Sequence, residues 1–195
     1  MKLLVLLAAL ALPAAAQTPT GPLRQNGPRV GVTLLAPGVV ARINDATRDG
    51  GVGDRIDPSF PVITQFGWQF EFRTFQSEGG LTGLAEVVPL LSGLDRGLLI
   101  PTLTVVSGLR TRSGVELGVG PNVSLTPQER TRRREDRYSG EEPLDLDVRL
   151  GLAVVAGVNA RVDGVSVPVN AAVVFGDGGA RLSLLLGLNT SSARH

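Results

Sequence analysis

Residues 61–75 read PVITQFGWQFEFRTF. From Gln65 to Arg73 the run alternates without a break. Phe66, Trp68, Phe70 and Phe72 share one side; Gln65, Gly67, Gln69, Glu71 and Arg73 share the other. Successive side chains of a strand lie on opposite faces, so the stretch predicts a strand with one oily and one polar face. The fold then turns on which face looks inward. A soluble sandwich or carrier barrel hides the oily face, whereas a membrane barrel presents it to lipid.

The same rhythm recurs along the chain. Before this strand, Arg29–Leu35 sets Val30, Val32 and Leu34 against Gly31 and Thr33. Between the two, Pro37–Thr47 carries Val39, Val40 and Ile43 as a short apolar stripe, which fits either one or two helical turns or an extension of the strand. After it come candidate strands at 81–91, 98–111, 115–125, 144–162, 165–175 and 180–189. Asp163-Gly164 between two of them is a two-residue hairpin signal. The reading is all-β: an antiparallel up-and-down β-barrel of about eight strands, with a short helix as one option in the first long loop.

Three features predict the polar face inside. Glycine crowds it (Gly31, Gly67, Gly108, Gly118, Gly120, Gly151, Gly157, Gly187), where it weakens an exposed strand but makes room in a narrow barrel. Both charge signs occur on it: Glu71, Glu86 and Glu116 with Arg73, Arg110, Arg149, Arg161 and Arg181. These eight are the candidate lumen network, since buried charges are tolerable when paired. The opposite face is Val, Leu, Ala and Phe in strand after strand, and Phe66, Trp68, Phe70 and Phe72 are the candidate lipid-facing anchors. Loop lengths agree. The long connections, 36–60 and 126–143, fall on one side, and the other side has only short turns, as in outer-membrane barrels.

Through this pattern, and through PVITQFGWQFEFRTF and GVELGVGPNVSL in particular, residues 29–189 resemble the small OmpA/OmpX-type outer-membrane β-barrels of bacteria and envelope proteins of similar size. The resemblance implies a structural, adhesive or limited transport role, with membrane lipid as the partner. It also implies a terminal aromatic, whereas this chain ends TSSARH. Two rivals are a secreted or periplasmic barrel with its oily face inside around a lipid or other apolar ligand, and a soluble β-sandwich enzyme.

The first 16 residues predict a secretory signal peptide: Lys2, an apolar run from Leu3 to Leu12, and Ala14-Ala15-Ala16 before the cleavage point. The run is too short to cross a bilayer core of about 30 Å as a helix. Residues 17–28 read as a flexible leader, 29–190 as the barrel domain and 191–195 as a tail. Location is therefore expected in the outer membrane, with periplasmic or secreted as the alternative. Formal charge is +1, from the single Lys2, so no basic field points to nucleic acid. No residue pattern points to a protein partner, and a monomer is expected.

Catalytic groups are scarce. Cysteine is absent and His195, the one histidine, is the last residue. Thiol nucleophiles, Ser-His triads and His-ligated metals have no residues to build on. Barrel enzymes that acylate or deacylate lipid A resemble this architecture, but their sites contain histidine. We expect no enzyme, cofactor or metal. Glu71 and Glu86 form the one acid pair, which reads more simply as part of a structural ion-pair lumen. GVGPN at 118–122 lacks the lysine and helix of a phosphate loop. Asp45, Asp49, Asp54 and Asp57 lack calcium-loop spacing. Arg130, Arg132, Arg133 and Arg134, in the densest charge cluster, are candidate contacts for lipopolysaccharide phosphates. The acidic residues around them fit a solvated loop as well.

Overall fold

The computed structural model of the chain describes residues 26–48, 54–127, 146–162 and 165–189. Its strands are β1 (Gly27–Leu35), β2 (Val62–Gln76), β3 (Thr82–Ser92), β4 (Ile100–Arg110), β5 (Val115–Pro127), β6 (Leu146–Val162), β7 (Val165–Gly176) and β8 (Gly179–Gly187). Each pairs antiparallel with its sequence neighbours, and β1 pairs with β8, so the sheet closes into an eight-stranded barrel. Closure leaves no edge strand among them. The hairpin turn expected at Asp163-Gly164 lies outside the described residues; Val162 and Val165 on either side of it are paired.

Alternation decides the faces. In β8, Ser183 and Leu185 are buried while Leu182, Leu184 and Leu186 are exposed. In β2, Gln65, Gln69 and Glu71 are buried while Phe66, Trp68, Phe70 and Phe72 are exposed. The oily face is outside, which removes the geometry of a carrier barrel with its oily face inside. A register shift between Arg73 and Phe75 returns Phe75 to the outer face. Its ring covers Gly83, where a Cβ would stand 2.3 Å from the ring edge.

The polar-face glycines meet two different demands. At Gly31 and Gly120 a Cβ would sit 2.0 and 1.8 Å from the neighbouring strand's carbonyl oxygens. Coiling of the sheet brings backbones that close, so only glycine fits. At Gly187 the obstacle is a side chain: a Cβ would meet the Arg29 guanidinium at 2.3 Å. Here glycine makes the room for a long neighbour that the sequence pattern predicts.

Where the sequence leaves helix and strand open, a three-turn helix forms, α1 (Pro37–Arg48). Proline at its first position is preset for helix. Val40 and Ile43 are buried against Leu35, Ile56, Ile63, Leu98 and Ile100, with Val39 packed alongside. The stripe thus closes the barrel end that carries the longer connections. Asn44 holds it there, donating from Nδ2 to the Ile56 carbonyl (2.8 Å) and accepting from the Ile56 amide (2.7 Å). Leu98, expected to open a strand, is instead buried in the β3–β4 connection, and β4 begins at Ile100.

That connection contains one 3-10 turn, Leu94–Arg96, flanked by Gly93 and Gly97 at positive φ. Its Asp95 accepts bonds from the Thr64 amide (3.0 Å) and hydroxyl (2.7 Å). Burial pushes the Asp95 carboxyl up, but the Thr64 bonds outweigh it and hold the group below its usual range.

Candidate functional site

The barrel interior has three zones. Nearest the short turns lies a charged floor. Glu71 is fully buried and accepts from both terminal nitrogens of Arg110, one of them at 3.0 Å. Arg110 also donates from Nε to Glu116, six residues on across the β4–β5 turn. Arg73 reaches Glu71 at 3.4 Å. The fork geometry of arginine suits it to hold two carboxylates at once.

Beside these four runs a chain of uncharged and charged groups. Arg29 Nε donates to Gln69 (3.0 Å), and Gln69 Nε2 donates to Glu86 (2.7 Å). Glu71 and Glu86 are direct cross-strand partners, a pairing that is unfavourable for like charges unless cations intervene. Arg110 takes one carboxylate and the Gln69 relay takes the other. Arg29 completes the seam between the first and last strands by donating to Asn189 (2.9 Å), which in turn reaches Ser166. The Glu71 amide donates to Asn26 Oδ1 (2.8 Å), which anchors the residue just before β1.

The middle zone is a cavity with about 80 Å³ open to the centre of a water-sized sphere. Its lower boundary includes Gln69 and Glu86, its upper boundary Leu35, Val39 and Ile43. Along one wall Arg181 donates to Asn122 (2.7 Å) and Ser124 (3.2 Å), and Asn122 donates to Thr104 (2.8 Å). The third zone is the α1 roof.

The sequence-predicted lumen set therefore divides. Glu71, Arg73, Glu86, Arg110 and Glu116 meet in the floor. Arg181 stands apart on the cavity wall, and Arg149 pairs at the mouth with Asp147 and, at 3.9 Å, with Asp177. The Arg161 side chain lies outside the described residues, as do Arg130, Arg132, Arg133 and Arg134, the residues of the expected lipopolysaccharide contact. Arg29, only 2% exposed, is a member that pattern reading passes over. Its signal is the parity shared with Gly31 and Thr33. A second departure is the wall itself. Ile63, Val88, Leu90, Ile100 and Val106 face inward and are buried, so the upper lumen is largely apolar rather than polar.

No family model, curated protein or solved structure matches this chain.

Its geometry alone must then indicate what the site can do. Every described carboxylate of the floor accepts at least one hydrogen bond, and Glu71, the acid expected to pair with Glu86, is already engaged by two arginines. Such an arrangement ties strands together and closes the short-turn end. Among the described residues no cluster of three His, Cys, Asp or Glu is placed to hold a metal.

Proposed function

We propose that this chain is an outer-membrane β-barrel that crosses the bilayer with its strands and serves a structural role in the cell envelope. The observation that carries the reading is the outer face. Leu34, Phe70, Leu103, Leu117, Leu150, Phe175 and Leu184, drawn from seven of the eight strands, are all exposed. A soluble monomer seldom shows an apolar patch beyond a few hundred Å². Lipid accepts such a band, while the closed ladder leaves no strand edge to be satisfied in the hydrocarbon. Among the described residues no helix is long and apolar enough to cross a membrane.

Within that reading, support and adhesion fit better than transport. The ion-paired floor and the α1 roof both lie across the route a solute would take. Eight-stranded barrels are in any case filled by side chains rather than open.

Fractionation tests the proposal. The mature protein should stay with outer membranes through a carbonate wash and migrate faster on gels unheated than boiled. Recovery as a soluble periplasmic monomer would overturn it.

A further inference from the structure

The cavity between floor and roof is not explained by a structural role. Its α1 end carries Leu35, Val39, Ile43 and Ile63 together with Arg181, the cross-strand partner of Leu35, and its middle carries the apolar cluster Val88, Leu90 and Leu185. Water against that cluster would lack the two to four polar partners that a buried water needs. Two donors of the lining are left wanting. Gln65 is 4% exposed and its Nε2 has no hydrogen-bond partner. Arg181, the second, bonds only two neutral oxygens, and no carboxylate lies within ion-pair distance of it among the described residues. By contrast, Arg73 and Arg110 of the floor and Arg149 of the mouth carry ion pairs. A half-buried guanidinium that has no near carboxylate among the described residues is costly, and three of its five N–H donors remain for a ligand.

We propose that this cavity is a binding site for a small apolar-chain monocarboxylate. Its carboxylate is taken by Arg181, with the Gln65 amide as a further donor, and its alkyl chain lies against Val88, Leu90 and Leu185. A single water needs roughly 10–15 Å³ of such space. The space therefore suits a molecule of about six heavy atoms, which is the size of butyrate. The inference does not depend on where the barrel resides, since only interior residues enter it.

The test uses the full chain folded in detergent, with unheated gel mobility as the check on folding, and amide NMR as the readout. Sodium butyrate should give saturable shifts at Ala153, Asn170 and Ser183. Butyramide, the neutral molecule of equal size, should bind at least about tenfold more weakly, the loss expected for one charge-assisted bond. Arg181→Gln should weaken butyrate by a similar factor. Ala153→Leu, which fills the cavity from a fully buried wall position without touching the arginine, should abolish the shifts. If Arg181→Gln does not fold, the butyramide comparison and Ala153→Leu decide. The proposal is overturned if butyrate gives no saturable shift, if butyramide binds equally well, or if sodium chloride reproduces the butyrate shifts, which would mean an adventitious ion only.

Discussion

Replacing Arg110 by methionine should be among the most damaging single changes available in this barrel. The guanidinium makes three bonds, two to Glu71 and one to Glu116. Charge-assisted bonds each contribute about 1.5–3 kcal/mol, though not additively. What matters more is what remains. Glu71 keeps Arg73 at 3.4 Å, but Glu116, which is 7% exposed, loses the one partner it has among the described residues. Removing one member of a buried ion pair costs about 3–5 kcal/mol because a charge is stranded. We expect a loss in that range for Arg110→Met. It can be measured by urea unfolding of the barrel in lipid vesicles, followed by the fluorescence of Trp68, the single tryptophan. Arg110→Met combined with Glu116→Met should recover at least about 1 kcal/mol, because apolar replacement of a whole pair is often neutral or better. The reasoning fails if the single variant loses less than about 1 kcal/mol, a loss within reach of an exposed pair. It fails equally if the double variant is no more stable than the single.

Other perturbations probe different parts of the structure. Gly31→Ala places a Cβ 2.0 Å from a backbone oxygen and should cost about 1–3 kcal/mol or prevent closure. Gly79→Ala, whose nearest neighbour is 3.8 Å away, should stay within about 0.5 kcal/mol in the same unfolding assay. Leu184→Arg, near the middle of β8 and exposed on the outer face, should lose about 2–4 kcal/mol in vesicles if that position faces the bilayer core. An unchanged midpoint would count against the membrane reading. Asp95 has its carboxyl lowered in the folded state, so its contribution is present above the ordinary aspartate value of about 3.9 and is lost as pH falls below it. Exchange protection of the Thr64 amide should therefore drop on acidification, and Asp95→Asn should remove that pH dependence.

Most of the architecture is legible in the sequence because it is written with period two. β5 alternates Val115, Leu117 and Val119 against Glu116, Gly118 and Gly120, and no other element type accommodates that pattern. Legibility fails where both faces are apolar. In the VVPLL run of β3, Val88 and Leu90 face the lumen while Val87 and Leu91 do not, and the run itself offers no contrast between them. The apolar upper lumen is invisible for that reason. It exists because α1 covers it, and three stripe residues, Val39, Val40 and Ile43, fit a helix and a strand about equally well. The Asn44 clamp on Ile56 that settles the matter is a tertiary contact. Which inward charges meet is likewise not a property of any one strand. The stagger between neighbours puts Arg110 beside Glu71, 39 residues away, and leaves Arg149 and Arg181 elsewhere.

Arg29 carries a consequence for the order of assembly. Its bond to Asn189 joins positions 160 residues apart, and the β1–β8 ladder around it is the last that a chain made from its N-terminus can form. Contacts of such separation slow folding, because the loop must be closed before they contribute. Until β8 docks, Arg29 reaches Gln69 but not its seam partner. Completion of the interior network thus reports completion of the wall, and a chain truncated before Gly179, which lacks β8, should stall as an open sheet with its first strand unlatched.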